Sequence, residues 1–183
     1  GFASSLKSRQ VETFEDDWLM DIRGLHHNAY RCRDSEETRK FYEDFLGLPL
    51  VNAFEIRTSK TGRQTRVLHS FYQMIDGSCL AFFEVPGEDG RDFEFKPQHD
   101  FDLHIALEVP RADLEPWMAK GRARGVETRG IADHGMIDSI YFRDPNGYVI
   151  ELTAKRPDHD AQMNPAANKA RAHLDQWQRT KPA

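Results

Sequence analysis

The chain has 183 residues, with 25 Lys and Arg against 30 Asp and Glu, a formal net charge of −5. A mildly acidic chain lacks the basic footprint of a nucleic-acid binder, and no apolar run reaches the roughly 18 residues of a membrane helix. Twelve Phe and 5 Tyr supply the bulk for about one packed domain, which excludes disorder along the whole chain.

Two cysteines, Cys32 and Cys79, exclude a disulfide framework and point to a reducing cytoplasm. Residues 1–21 are polar and unpatterned, without the apolar core of a secretory signal, and are set aside as an N-terminal arm. A strand is predicted over 24–33. Asp34-Ser35-Glu36-Glu37 then resembles a capping box, with Asp34 as N-cap and Glu37 three residues on. Thr38, Phe41, Tyr42 and Phe45 recur at helical spacing, and Gly47 ends the helix. Strands are predicted over 48–57, 65–75 and 78–86, the last two joined at Asp76-Gly77. Residues 87–99 are charged and turn-rich, a connector.

The same order then returns. A strand is predicted over 102–109, and a short helix carries Leu114, Trp117 and Met118 up to Gly125. Strands follow over 126–131, 136–143 and 147–154. The fold class is therefore α+β, with two paired βαβββ modules, 24–86 and 101–154, in one domain over 22–156. Residues 157–183 form a tail in which Ala167, Ala170, Leu174 and Trp177 share one helical face. A helix over 166–179 docked on its own domain is expected, packing on a second subunit being the alternative.

The modules superimpose residue by residue, as an internal repeat should. His27-Asn-Ala matches His104-Ile-Ala at a spacing of 77, and Gly77 to Phe82 matches Gly147 to Leu152 at a spacing of 70. The difference falls in loops, where length costs little. Side chains alternate across a strand, so His27, Ala29 and Arg31 share one face, and His104, Ala106 and Glu108 share its counterpart. Asp144-Pro145-Asn146-Gly147 has the residues of a type I turn. It folds the preceding strand back so that Tyr141 comes next to or opposite Glu151.

Two histidines and a carboxylate on strands are a ligand set for a divalent metal with open positions. His27, His104 and Glu151 are the predicted ligands. The repeat selects His27 over His26, which should face the other way. The slot equivalent to Glu151 is Ala81, which cannot bind metal. Glu84 has the opposite parity and is read as facing solvent or capping a loop.

The paired modules with His27, His104 and Glu151 resemble the vicinal oxygen chelate superfamily, which includes glyoxalase, bleomycin-resistance and extradiol dioxygenase folds. The resemblance covers residues 24–154. Within it, His134, Tyr141, Pro145, Gly147 and Glu151 are similar to the type I extradiol dioxygenase signature, with a departure at Ala132. That branch also carries a histidine near the start of the last strand of the first module, where this chain reads Gly77-Ser78-Cys79. His69, on the preceding strand, is the candidate to reach the site instead.

The resemblance implies a ring-cleaving dioxygenase acting on a small catecholic substrate with O₂ at Fe(II), with Mn, Zn or Ni as other possible ions. It implies that Tyr141 hydrogen-bonds an oxygen at the metal and that His134 holds a substrate hydroxyl or a proton. Arg31 would pair with an anionic substrate group or with Glu108. The rival readings are a metal-dependent lyase or isomerase of the glyoxalase kind and a metal-free binding protein of the bleomycin-resistance kind. A homodimer is the expected assembly, without nucleic-acid or membrane partners.

Overall fold

Two sheets of the same build follow one another in the computed structural model, which describes residues 22–182. The expected arm, 1–21, lies outside the described residues. The first sheet comprises β1 (Tyr30–Cys32), β2 (Leu50–Thr58), β3 (Gln64–Gln73) and β4 (Cys79–Glu84), in the order β1-β4-β3-β2. The second comprises β5 (His104–Glu108), β6 (Thr128–Asp133), β7 (Ile137–Arg143) and β8 (Val149–Lys155), in the order β5-β8-β7-β6. In both, the first strand runs parallel to the last and the other pairs are antiparallel.

The register reproduces the repeat. His27 bridges Cys79 as His104 pairs with Val149, and Phe71 faces Ala81 as Tyr141 faces Glu151. The spacings of 77 and 70 residues read from the sequence are those of the strand pairing.

The first strand is shorter than the expected 24–33. Asn28 explains this: its side-chain oxygen accepts the Ala81 N–H at 3.1 Å, taking a place that a ladder carbonyl would fill. Helix α1 (Ser35–Arg39) starts where Asp34 accepts the Glu37 N–H at 2.8 Å. The Ser35 N–H is taken by Glu84 at 2.8 Å, so Glu84 caps a helix from the neighbouring strand. The helix widens to a π-type turn over Lys40–Phe45 and stops at Gly47, whose φ of 79° suits glycine. In the second module α2 spans Leu114–Ala123 and ends before Gly125.

The core lies where the modules meet. Phe41, Tyr42, Phe45, Tyr72, Phe82, Phe142 and Ile150 are buried together. Polar contacts also cross the junction: among them the Tyr42 hydroxyl donates to Asp144 (2.9 Å), the Arg33 N–H to Asn146 (2.8 Å), and the Tyr148 hydroxyl to the Arg31 carbonyl (2.6 Å). The packing therefore uses the helices and the 144–147 turn, and Leu50, Val51 and Phe54 on β2 remain exposed.

The tail corrects the expectation of one docked helix. It forms α3 (His159–Gln162), α4 (Pro165–Asn168) and α5 (Ala170–Thr180), broken at Lys169 with φ 55°. Asn168 accepts the Ala170 N–H at 2.8 Å and donates to the Gln162 carbonyl at 2.8 Å, closing one segment and starting the next. No residue of α5 is buried, and Leu174 and Trp177 stand open on its surface. Among the described residues no helix is long and apolar enough to cross a membrane. Cys32 and Cys79 are both free thiols and both buried.

Candidate metal centre

Strand β8 carries Glu151 inward, where it is only 4% exposed. Its parallel neighbour β5 begins with His104, whose Nε2 lies 3.3 Å from Glu151 Oε2. The other ring nitrogen, Nδ1, lies 2.7 Å from the Asp100 carbonyl oxygen. A carbonyl only accepts, so Nδ1 carries hydrogen, and in a neutral ring Nε2 keeps the lone pair. That lone pair points at a buried carboxylate that, among the described residues, has no lysine or arginine partner. Two electron-pair donors so arranged repel unless a proton or a cation lies between them. The donor set, neutral imidazole and carboxylate, fits a divalent ion.

Tyr141 stands across from Glu151 on β7, as expected from the turn. Its hydroxyl donates to Glu151 Oε1 at 3.4 Å, and His134 Nε2 lies 2.6 Å from the same oxygen. With the phenol donating to the carboxylate, the imidazole is the donor to the phenol. Burial, and then the Glu151 charge, push the Tyr141 pKa up, which keeps it a neutral donor.

His27 does not join this group within the chain. It is exposed on the first sheet, where its Nδ1 lies 2.8 Å from His26 Nδ1 and its ring packs near Phe71 and His69. Among the described residues no three His, Cys, Asp or Glu side chains converge to hold a metal ion. The expectation that one chain gathers His27, His104 and Glu151 into one cavity is therefore corrected. The packing at the module junction places His27 and His104 on separate sheets.

His69 is buried beside His27, stacked on Phe83 at 3.8 Å and beside Phe71 at 4.2 Å. Its Nδ1 lies 3.0 Å from the Phe82 carbonyl. Burial holds its pKa below the ordinary histidine range. Arg31 lies over the Phe93 ring at 5.1 Å and donates to the Gly90 carbonyl at 3.4 Å. The expected pairing of Arg31 with Glu108 is not found, since Glu108 is paired with Lys155 at 3.0 Å.

Two features escaped the sequence reading. One is an aromatic face on the first sheet: Phe54, His69, Phe71 and Phe83 pack there as neighbours. The repeat carried a usable signal, because Phe71 occupies the slot of Tyr141. The other is a bidentate pair between Arg129 and Asp100, beside His104.

Comparison with known proteins places this geometry. The family model described as the Glyoxalase/Bleomycin resistance protein/Dioxygenase superfamily matches residues 24–152, and the chain belongs to that superfamily. It is similar to MhqA of Bacillus subtilis, a candidate ring-cleaving dioxygenase, at 29% identity over 139 residues, covering 74% of this chain but only 41% of MhqA. It is also similar to the metallothiol transferase FosB of Bacillus licheniformis, at 30% identity over 133 residues, covering 72% of this chain and 75% of FosB. Among solved structures, the fold is like that of the fosfomycin resistance protein FosX from Listeria monocytogenes, solved with Mn(II) and a dihydroxypropylphosphonic acid. That likeness has a TM-score of 0.55 at 20% identity, covering 77% of this chain and 99% of that one.

Proposed function

We propose that this protein is a divalent-metal-dependent enzyme, and that its reaction is the extradiol cleavage of a small catecholic ring by O₂. The observation that carries the reading is the Tyr141 hydroxyl, held between His134 Nε2 (2.6 Å) and Glu151 Oε1 (3.4 Å) beside His104. His104 and Glu151 would hold the ion, with Fe(II) the ion suited to this chemistry and Mn, Zn or Ni to others. Bound there, Fe(II) would hold two adjacent substrate oxygens and supply the redox chemistry that O₂ requires. Tyr141 would donate a hydrogen bond to the charge that develops on a substrate oxygen. His134, at the open end of that hydrogen bond, would pass a proton to or from it. The likeness to MhqA supports this branch of the superfamily.

The third ligand in this proposal is His27 from a second copy of the chain. His27 repeats the strand position of His104, stands exposed on an open sheet face, and belongs to no group of three metal-ligating side chains among the described residues. The same assembly would set the aromatic face of Phe54, Phe71 and Phe83 against the metal pair, a surface suited to a flat ring.

A second reading is supported by the likeness to FosB: metal-assisted transfer of a thiol to a small electrophile, without O₂. One experiment separates the two. Protein loaded anaerobically with Fe(II) is given a panel of catechols, and O₂ uptake and the yellow ring-opened product are followed. Uptake matched to product supports ring cleavage. No uptake, with thiol consumed under argon in the presence of Mn(II), supports transfer instead.

A further inference from the structure

We infer that Arg129 is a positioning residue that sets both His104 and Tyr141, a role that rests on the metal reading above. Arg129 grips Asp100 with two parallel hydrogen bonds, Nη1 to Oδ2 at 2.9 Å and Nη2 to Oδ1 at 2.8 Å. The backbone carbonyl of the same Asp100 receives His104 Nδ1–H at 2.7 Å. Asp100 lies in a loop, and a loop carbonyl holds a direction only if something fixes the loop. The Arg129 fork does so across 29 residues of sequence. The guanidinium plane also lies over the Tyr141 ring, 5.0 Å from its centroid, and Arg129 faces Tyr141 directly in the β6–β7 pair.

One side chain thus touches the support of the ligand and the face of the phenol. The consequence for His104 is chemical. With Nδ1–H committed to the Asp100 carbonyl, Nε2 is the nitrogen left to bind a metal. If the loop moves, the ring is free to place its hydrogen on Nε2 and donate it to Glu151, which removes the lone pair that a metal needs. For Tyr141, the guanidinium over the ring limits how far the ring can swing away from Glu151 Oε1.

Arginine is required on these grounds. Lysine keeps the charge but has neither the two-pronged fork nor a plane to stack. Arg129 also lies 3.8 Å from Glu127, but Glu127 is held more closely by Arg143 at 2.8 Å, so the Asp100 contact dominates. The Arg129 and Asp100 side chains are 43% and 33% exposed. A pair so open to water adds little to folding, so its loss leaves the fold in place.

The test uses full-length Arg129→Lys, Arg129→Ala and Asp100→Ala, each checked for an unchanged melting temperature. In metal-free protein at fixed neutral pH, the ¹⁵N shifts of the His104 ring report which nitrogen carries hydrogen. Wild type is expected to show Nδ1–H, and all three variants a shift toward Nε2–H. Mn(II) affinity, read by electron paramagnetic resonance, is expected to fall about 10- to 100-fold, with Arg129→Lys close to Arg129→Ala. The double variant Arg129→Ala with Asp100→Ala is expected to be no worse than either alone. Unchanged His104 shifts in all variants would overturn the proposal, as would additive losses in the double variant. If wild type binds no Mn(II), the metal reading fails, and the metal-free shifts still decide the positioning role.

Discussion

Tyr141 and Glu151 face each other across the β7–β8 pair, with the phenol hydroxyl 3.4 Å from the carboxylate. Removing that hydroxyl leaves the ring and its packing in place. Tyr141→Phe is therefore expected to retain metal content and melting temperature while turnover falls about 100-fold or more, the effect of losing one hydrogen-bond donor to a developing oxyanion. Turnover, metal content and melting temperature measured on one preparation check this. A silent substitution would assign the tyrosine to packing alone.

Mixing two inactive variants tests where the third ligand comes from. If His27 of one copy serves His104 and Glu151 of another, His27→Ala and Glu151→Ala proteins are each dead. Refolded together they form mixed pairs with one intact site each. Activity is expected to return on mixing, toward about half of the wild-type level per mixed pair. Activity that stays absent in mixed pairs shown to form would place the ligands within one chain.

Asp144 accepts four hydrogen bonds while buried: from the Tyr42 hydroxyl (2.9 Å), the Asn146 N–H (2.8 Å), Asn146 Nδ2 (2.9 Å) and the Tyr148 N–H (2.8 Å). Asp144→Asn would turn an NH₂ group toward donors and strand at least one of them. A loss of about 3 kcal/mol in unfolding free energy is expected, read from urea denaturation. Because Tyr42 belongs to the first module and Asp144 to the second, the transition should also broaden as the modules uncouple.

His69 gives the fold an acid-side weakness. Burial between Phe71 and Phe83 holds its folded pKa below the ordinary value of about 6.5. As pH falls below about 6.5 the unfolded chain takes up this proton first, so the stability contribution is complete above that value and declines beneath it. The melting temperature of metal-free protein should drop as pH falls below about 6.5, and His69→Phe should flatten that part of the curve. An equal slope in the variant would assign the acid sensitivity to other groups.

Much of this arrangement was legible because local chemistry dictates it. Asp144, Pro145 and Gly147 specify the turn, the turn specifies the antiparallel pairing, and the pairing sets Tyr141 against Glu151. The match of His27 to His104 rests on period-2 alternation repeated in two modules. The remainder depends on contacts between distant segments. Nothing in the spacing tells that the Asn28 side chain replaces a ladder carbonyl or that Arg31 turns to the 87–93 connector. The Arg129–Asp100 pair is hidden for the same reason, since its effect on His104 passes through a backbone carbonyl that every residue possesses. The separation of His27 from Glu151 follows from how whole modules pack, which strand patterns do not encode.

Ala81 stands where its counterpart module carries Glu151, and Phe71 where it carries Tyr141. The two halves have therefore divided their labour. The second half keeps the carboxylate and the phenol, and the first retains only His27 as the counterpart of His104. Mutations at Phe54, Phe71 or Phe83 can then drift under selection for a new molecule without eroding the chemistry next door. An inherited duplication of this kind separates what a protein recognises from what it does, and lets each evolve at its own pace.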